Sequence, residues 1–498
     1  MFLDISKAFD KVWHKGLIFK LSKCGIGGEL LNWFQDYLQG HMQRVVISGQ
    51  YSDWEHLYAG VPQGSVLGPL LFLLYINDVT NVVRNCKIRL FADDTCLFIE
   101  VDDRIEAANK VNEDLLHIFK WSKQWIVKFS PSKTKSLIIS NKKVSNFNPP
   151  VCVNNLPIEE VKSFKYLGLN FTSNLRWSLH IDHITHKAQR RLNLMLALKW
   201  KLDRRSLEVM YKSLVLSAME YAIIVWGGTF DSDLVKLEKI HVEGMRLITG
   251  ATARSNIANL YNETGFIDIK TKCNNAMLIM LYKVKHNKCP PYLTHLLPHE
   301  NQEIHAYNLR NKVDIIKPST RLECFKRSFF PHSINLWNNL PLNVRSSTTI
   351  ESFKKCLKDI RNELNVLYYY GERWTAVHHS RMRLGCSKLN YDLCYNLHVI
   401  DYCNCSCGAL VEDAYHFFLV CPKYNEIHTV SAMLPYLSVH PLSKHCCLEI
   451  KCCQLKTMLL YLVQFTNILL TQKGFSDHFH RCSQQFSTLH NVPSMFVR

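Results

Sequence analysis

The sequence predicts an α+β protein: an antiparallel sheet with helices, then a helical unit, then a Cys/His-rich C-terminal region. Short apolar runs alternate with helical patterns up to about residue 140. Apolar side chains then recur at helical spacing between residues 181 and 195. Eleven of the 19 cysteines stand at Cys386 or later. These shifts predict four segments, with boundaries at residues 1–175, 176–300, 301–375 and 376–498.

Within the first segment, a hairpin is the element with the clearest pattern. Residues 88–92 and 95–99 are apolar runs, and Asp93 and Asp94 stand between them as the expected two-residue turn. Residues 65–79 are apolar over too long a stretch for a strand and predict a buried helix. The other expected helices are 16–38, with a break at 24–28, and 102–125, and the other expected strands are 44–48, 54–58 and 135–140.

Composition favours a polyanionic partner and an intracellular location. Lys and Arg outnumber Asp and Glu by 60 to 42, which gives a net charge of +18. Such an excess attracts nucleic acid, although a merely basic soluble protein has the same composition. The odd cysteine count argues against a secreted disulfide scaffold, so we expect a nuclear or cytoplasmic protein. The apolar stretch 458–470 is too short to span a membrane and is expected to be a core helix.

Carboxylates stand at the ends of two separate apolar runs. Asp4 closes the first run, and Asp93 and Asp94 lie in the predicted hairpin turn. An isolated Asp-Asp pair is usually turn chemistry. Here a second acidic strand end, at Asp4, lies upstream, and the turn at Gln63 and Gly64 lies between Asp4 and the Asp-Asp pair. The three features together indicate a functional site rather than an ordinary turn. Hard divalent cations need such oxygen ligands from non-adjacent strands.

Five motifs in order make the chain resemble the reverse transcriptases of non-LTR retrotransposons, most closely the jockey-like group. The third has the Phe-Ala-Asp-Asp form typical of these elements. The resemblance implies a palm over residues 1–175 and a thumb over 176–300, followed by a basic connection over 301–375. The segments that match are motif A (4–10), motif B (60–69), motif C (91–95), motif D (131–135) and motif E, the primer grip (164–168).

The resemblance also implies the site residues, the cofactor and the substrates. Asp4 and Asp93 would hold two Mg²⁺ ions, with Asp94 in support. The substrates would be an RNA template, a DNA primer and deoxynucleoside triphosphates. Asp10 is expected to be a local structural carboxylate rather than a ligand. The remaining expected roles are Phe9 as the gate against a ribose 2′-hydroxyl, Gln63 and Gly64 as lining of the nucleotide site, and Lys133, with Lys135 as its competitor, as proton donor to pyrophosphate.

A basic run follows in the helical segment. Eight Lys and Arg residues against two acidic ones lie between residues 187 and 212, which suits contact with a template–primer backbone. A solvated helix face would show a similar excess. Residues 332–341 resemble the region after the thumb in this family, without an assigned chemical role.

The C-terminal cysteines predict one zinc site. Cys405, Cys407, His416 and Cys421 offer thiolates and an imidazole at spacings that suit tetrahedral Zn²⁺. Cys403 competes with Cys405, and buried cysteines in a helical cap remain the alternative to a metal site. A similar pattern recurs at the C-terminus of the jockey-like family. The pairs at 446–447 and 452–453 have no fitting His partner.

The family places an endonuclease and a fingers region before motif A, so we expect an N-terminally truncated reverse transcriptase. Such a chain should bind nucleic acid but extend a primer poorly until fingers are restored. The rival interpretation is a catalytically inactive nucleic-acid-binding remnant. A telomerase-type or intron-type polymerase is less favoured because of the match at the C-terminus.

Overall fold

The computed structural model describes residues 1–140, 150–153, 156–304, 313–357 and 373–424. The chain divides into two compact units, an N-terminal unit of residues 1–180 and a C-terminal unit that starts at Ile181. The expected helix at 458–470 and the cysteine pairs at 446–447 and 452–453 lie outside the described residues. No helix among the described residues is both long and apolar enough to cross a membrane.

The N-terminal unit combines short antiparallel strands with helices. Its strands are β1 (Phe2–Leu3), β2 (Met42–Gln43), β3 (Val46–Ile47), β4 (Gln50–Tyr51), β5 (Glu55–His56), β6 (Lys87–Phe91), β7 (Asp94–Phe98), β8 (Cys152–Val153), β9 (Leu156–Pro157), β10 (Ser163–Tyr166) and β11 (Leu169–Thr172). Its helices are α1 (His14–Lys23), α2 (Gly28–Leu38), α3 (Leu67–Ile76) and α4 (Arg104–Gln124), and 3₁₀ turns cover Phe9–Lys11 and Asn77–Val82. The mixed fold class predicted from the sequence is thus confirmed at this level.

The principal sheet has the strand order β1-β7-β6, with every pair antiparallel. Leu3 lies opposite Thr95 in this sheet, and Leu3 and Leu97 are buried. Side chains from α1, α3 and α4 complete the same core. Full burial of a Leu or Ile side chain stabilises the fold by about 1.5–3 kcal/mol. This apolar layer holds the ends of β1 and β7 side by side.

A buried carboxylate determines where β6 begins. Asp114 on α4 is fully buried and accepts hydrogen bonds from the backbone N–H groups of Arg84, Asn85 and Cys86. The N-terminus of α4 is itself capped by Asp103, whose side chain accepts from the backbone N–H of Glu106. The helix therefore positions the hairpin that carries motif C.

Three expectations for the N-terminal unit were inaccurate. The hairpin turn is Ala92–Asp93 rather than Asp93–Asp94, because Phe91 pairs with Asp94 and makes Asp94 the first residue of β7. The expected strand at 135–140 is reduced to isolated bridges, since its partner β1 is only two residues long. The strands expected at 44–48 and 54–58 shrink to the two-residue β3 and β5, whose side chains are exposed on both faces.

The described part of the C-terminal unit is mainly helical. The five apolar positions expected on one helix face, Ile181, Ile184, Ala188, Leu192 and Met195, are all buried. Its helices are α5 (Ser178–Leu198, which begins just before the boundary), α6 (Arg204–Met210), α7 (Ser217–Glu220), α8 (Ile223–Trp226), α9 (Asp231–Thr249), α10 (Ile257–Thr264), α11 (Ile269–Lys285), α12 (Pro291–Thr294), α13 (Asn301–Ile304), α14 (Glu323–Lys326), α15 (Phe329–Asn338), α16 (Leu342–Arg345), α17 (Ile350–Leu357) and α18 (Arg373–Arg383), with π-helical turns at Tyr211–Leu216, Asp392–Asn396 and His416–Val420 and a 3₁₀ turn at Pro422–Tyr424.

Part of the basic run in this unit is structural. Arg204 is buried, and its guanidinium donates to a carboxylate oxygen of Glu263 at 2.6 Å. Arg383 contacts the same carboxylate. Arg204 therefore cannot belong to an exposed basic face, which corrects the expectation for that residue. Residues 332–341 are also structural in part, because Ile334 and Trp337 of α15 are buried against α11 and α17.

Candidate active site and metal centre

The three aspartates of motifs A and C meet at one end of the principal sheet. Asp4 directly follows Leu3, which pairs with Thr95, and Asp94 directly precedes Thr95. One further step along this antiparallel register places Asp4 beside Asp94. Burial, and next to it the charges of Asp93 and Asp4, raises the pKa of the Asp94 carboxyl. The register therefore places Asp4 and Asp94 at the same end of the sheet, beside the turn that carries Asp93.

Asp4 carries an oxygen that fits a cation. Its Oδ2 is buried and accepts no hydrogen bond from the described residues. The Nζ of Lys133 lies 3.8 Å from this oxygen. The Asp4 backbone is held on the other side, because its carbonyl accepts from the N–H of Ser130 at 2.8 Å. A carboxylate oxygen that accepts no hydrogen bond is the kind of ligand that Mg²⁺ prefers.

The turn that carries Asp93 has an unfavourable backbone. Ala92 has φ of 50°, in the left-handed region. For a residue with a Cβ this conformation costs roughly 1–2 kcal/mol. Such strain persists only where the surrounding pairing maintains it, and it is concentrated at functional sites. The pairing of Phe91 with Asp94 closes this turn and places Asp93 at its tip.

Of the two lysines considered for motif D, the structure places Lys133 at the carboxylates. Lys133 is 70% exposed and lies next to Asp4. Lys135 is only 22% exposed, and its Nζ is paired with Glu159 at 2.6 Å. Lys133 is therefore the ammonium group near the acidic cluster, while Lys135 is held away by its own partner.

The residues expected to contact the nucleotide come from motifs A and B. Phe9 stacks on Phe72 of α3, with ring centroids 4.6 Å apart. The backbone N–H of Val61 donates to the carbonyl of Phe9 at 2.8 Å, so the two motifs are directly joined. The side chain of Gln63 donates to Asp10 at 2.6 Å. Gly64 follows with a positive φ of 85° and makes the turn that precedes α3.

The motif E hairpin packs against the same sheet end. Leu167 and Gly168 both have positive φ, 46° and 79°, which makes the β10–β11 connection a type I′ turn. Phe164 stacks on Phe2 with ring centroids 4.3 Å apart. Burial, followed by the charges of Cys96 and Asp94, raises the pKa of Tyr166 to about 12. The family resemblance identified residues 164–168 as the primer grip, but the contact with Phe2 was not predicted, because it joins segments more than 150 positions apart.

The four zinc-ligand candidates converge. One donor atom from each of Cys405, Cys407, His416 and Cys421 lies within 4.8 Å of every other. Cys407 Sγ is 3.2 Å from His416 Nε2, and the Cys405 and Cys421 sulfurs are 3.7 Å apart. For ligands about 2.0–2.3 Å from a tetrahedral ion, donor atoms lie about 3.3–3.8 Å apart. The donor set and its spacing fit Zn²⁺.

Local structure explains why Cys405, and not Cys403, belongs to this cluster. The Cys403 thiol donates to the carbonyl of Leu410 at 3.3 Å. A tight turn returns the chain at Cys405, whose backbone N–H donates to the carbonyl of Ala409 at 2.9 Å. A backbone hydrogen bond at Ala409 lowers the pKa of the Cys407 thiol to about 7, which favours the thiolate that metals bind.

Comparison with known proteins agrees with this geometry. Residues 1–171 match the family described as reverse transcriptase (RNA-dependent DNA polymerase). The chain is 29% identical over 257 residues to a probable RNA-directed DNA polymerase from transposon X-element of Drosophila melanogaster, and 30% identical over 262 residues to one from transposon BS of the same species. It is 30% identical over 260 residues to the RNA-directed DNA polymerase from mobile element jockey of Drosophila funebris.

Each of these alignments covers 50% of the present chain and 28% of the relative. The chain thus aligns with little more than a quarter of the length of these relatives. The resemblance inferred from the five motifs is confirmed. Residues 1–171 form a reverse transcriptase domain, and the chain is related to the RNA-directed DNA polymerases of jockey and similar non-LTR transposons.

Proposed function

We propose that this chain is the polymerase part of a non-LTR retrotransposon, which adds deoxynucleotides to a primer 3′-hydroxyl on an RNA template. The observation that carries the proposal is the meeting of Asp4, Asp93 and Asp94 at one sheet end inside the reverse transcriptase domain. In this proposal residues 1–175 are the palm and residues 176–300 the thumb.

The chain's own residues would prepare the reaction as follows. Asp4 and Asp93 hold two Mg²⁺ ions, and Asp94 supports them from the first position of β7. When bound, such ions lower the pKa of the attacking hydroxyl and offset the charge that grows on the triphosphate. Two observations support this arrangement. The Oδ2 of Asp4 is buried and accepts no hydrogen bond from the described residues, and burial, followed by the charges of Asp93 and Asp4, raises the pKa of the Asp94 carboxyl.

Other side chains would act on the nucleotide. Lys133, next to Asp4, is placed to give a proton to the leaving pyrophosphate. Gln63 and Gly64 line the incoming nucleotide, and Phe9 excludes a ribose 2′-hydroxyl. The stacking of Phe9 on Phe72 supports the last role, because a gate must resist displacement.

Nucleic acid would also contact exposed basic residues of the C-terminal unit. Lys187, Arg190, Lys199, Lys201 and Arg205 are exposed. Each phosphate contact of this kind releases a condensed counterion, so it contributes affinity that falls as salt rises. Arg204 is excluded from the surface by its burial with Glu263.

We further propose that Cys405, Cys407, His416 and Cys421 hold one Zn²⁺ and so stabilise the C-terminal region for contact with nucleic acid. The four donors come from an extended segment, a turn and the π-helical turn at His416–Val420. Among the described residues, few apolar side chains pack around them: Leu389 and Phe417 are buried with two of the cysteines, and Ala409 and Ala414 pack against this cluster. A metal would supply the stabilisation that so small a core lacks.

A catalytically inactive remnant that still binds nucleic acid is the second candidate. The observation that favours it is the exposed basic surface, which supports binding without any chemistry. The test measures both properties on the same protein: primer–template affinity, and Mg²⁺-dependent addition of one nucleotide, each with Asp93→Ala beside the parent. The polymerase proposal requires addition by the parent, and its loss with unchanged affinity in the variant. Binding without addition in either protein supports the remnant.

A further inference from the structure

Hydrogen bonds join the start of motif B to the end of motif A and to the residues that follow it. The backbone N–H of Gly60 donates to the carbonyl of Val12, and that of Val61 to the carbonyl of Phe9, both at 2.8 Å. The ring Nε2 of His14 lies 2.7 Å from the carbonyl oxygen of Gly60. The backbone after motif A is therefore tied to the backbone that opens motif B.

Gly60 makes this approach as close as a backbone allows. Its φ of 96° lies in the left-handed region, and a Cβ there would stand 2.9 Å from the carbonyl oxygen of Asp10. Any side chain at this position would push the two segments apart. Gly60 thus holds the Asp10 backbone against the start of motif B.

A side-chain hydrogen bond completes the connection. Gln63 Nε2 donates to Asp10 Oδ1 at 2.6 Å. Because a carboxylate only accepts, the Gln63 amide must present its NH₂ group to Asp10 and its Oε1 in another direction. Among the described residues no donor reaches that Oε1. The amide is therefore oriented, with one acceptor oxygen left for a ligand.

The side chains of Asp10 and Gln63 are both exposed, which by itself would make their hydrogen bond weak. The backbone geometry strengthens it. Exposed polar pairs contribute little when two flexible side chains must be ordered to form them. Here both backbones are already fixed relative to each other by three hydrogen bonds. The two side chains therefore lose less conformational entropy when they form the hydrogen bond, so a larger part of its free energy stabilises the contact.

We infer that Asp10 is a positioning residue that orients Gln63 toward the incoming nucleotide and thereby sets nucleotide affinity. The inference deepens the proposed polymerase function and rests on it. It assigns Asp10 no contact with metal or substrate: the carboxylate acts through the Gln63 amide. Asp10 directly follows Phe9, so the residue proposed as gate and the residue proposed to line the nucleotide would share one support.

The test separates this role from a metal-ligand role by using Asp10→Asn and Asp10→Ala. Asn keeps an acceptor oxygen for Gln63 but is a poor substitute for a carboxylate metal ligand. Single-nucleotide addition is measured over a range of nucleotide concentrations. Asp10→Ala should raise the apparent nucleotide Kd by about tenfold, as loss of a hydrogen bond to a charged group does, with little change in the maximal rate. Asp10→Asn should remain within about threefold of the parent, and Asp36→Ala, at an exposed aspartate of α2, serves as the matched control.

The double variant gives the second criterion. If Asp10 acts through Gln63, then Asp10→Ala adds nothing to the defect of Gln63→Ala. Additive defects would overturn the inference. So would an Asp10→Asn protein whose maximal rate falls as far as that of Asp93→Ala, because that result would make Asp10 a metal ligand.

Failure of the proposed function is distinguished by a readout that needs no turnover. If the parent protein adds no nucleotide, urea unfolding is measured for the parent, for Asp10→Ala, for Gln63→Ala and for the double variant. The unfolding equilibrium constants should still show coupling of about two- to fivefold between positions 10 and 63, as expected for a single exposed hydrogen bond. Coupling between the two positions without nucleotide addition would show that the Asp10–Gln63 contact exists and would contradict the proposed polymerase function. Additive effects on unfolding would instead contradict the positioning role of Asp10.

Discussion

Lys133 and Asp4 form an ion pair across 3.8 Å, between Nζ and an Oδ2 that accepts no hydrogen bond from the described residues. Lys133 is otherwise exposed, and the competing Lys135 is engaged with Glu159. The pair brings one ammonium group to the sheet end where three carboxylates meet. It is the structural basis for choosing between the two lysines of motif D.

Lys133→Ala should slow nucleotide addition by about 10- to 100-fold, whereas Lys135→Ala should change it by less than about threefold. General acids typically contribute about 10²–10⁴-fold to a rate, and solvent replaces part of that contribution in an alanine variant. Single-turnover addition at several pH values measures this, because loss of a proton donor also changes the pH profile. Equal defects in the two variants would show that neither lysine has a specific role.

Zinc binding should depend on the four clustered donors and on no neighbouring cysteine. The purified chain is expected to contain one zinc per molecule. The double variant His416→Ala with Cys421→Ser should lose it, because two of four ligands are removed. Cys403→Ser is the matched control, since that thiol contacts the Leu410 carbonyl instead. Metal analysis that finds no zinc in the parent, or full zinc in the double variant, would leave the cysteines as buried packing residues.

Affinity for a primer–template duplex should fall steeply with salt, and two exposed residues of α5 should account for part of that slope. Neutralising Lys187 and Arg190 to Gln removes up to two phosphate contacts. The slope of log K against log salt should then become shallower by about 1 to 2. Lys354→Gln with Lys355→Gln on α17 removes the same charge from another exposed surface. Identical slopes in both variants would show that only net charge matters.

Stability of the C-terminal unit should decrease as the pH is lowered from about 6.5 toward 4. His241 is buried, its Nδ1 lies 2.6 Å from the Tyr211 hydroxyl, and burial lowers its pKa to about 4. Between about pH 6.5 and 4, His241 is therefore protonated in the unfolded chain but not in the folded chain. The stability that the neutral, buried His241 contributes is present above pH 6.5 and is lost as the pH falls.

Urea unfolding at pH 7, 6 and 5 measures this effect. His241→Gln should reduce the pH slope by up to about 1.4 kcal/mol per pH unit, which is the value for one proton. Some slope should remain, because burial also lowers the pKa of His378 and His379 to about 4. His186→Gln on the exposed side of α5 is the control. An unchanged slope in the His241 variant would contradict the assignment.

Local patterns in the sequence predicted the elements that depend on local physics. Periodic apolar residues predicted the buried face of α5, and the two acidic strand ends, at Asp4 and Asp94, lie at the same end of the principal sheet. The spacing of Cys405, Cys407, His416 and Cys421 predicted their cluster. These residues lie within a short segment, and a short segment with tight turns can adopt few conformations. These features need contacts only within an element or between elements whose motifs are already known.

Features that depend on distant contacts were not predictable in the same way. The hairpin turn lies one residue earlier than expected, because Phe91 pairs with Asp94, and the apolar pattern alone does not determine this register. Arg204 was counted with an exposed basic run, and only tertiary packing against Glu263 reveals that it is buried. The bond between Gln63 and Asp10 joins residues 53 positions apart, and neither residue type demands the other.

The central claim is that Asp4, Asp93 and Asp94 form the centre of a polymerase. Its most direct test is single-nucleotide extension of a DNA primer on an RNA template with Mg²⁺, performed with this chain and with its Asp93→Ala variant. We predict Mg²⁺-dependent addition by the parent protein. Asp93→Ala should abolish that addition, while primer–template affinity stays within about twofold, because the aspartate contributes no phosphate contact. Extension by Asp93→Ala at the parental rate, or no extension by the parent despite tight binding, would contradict the claim.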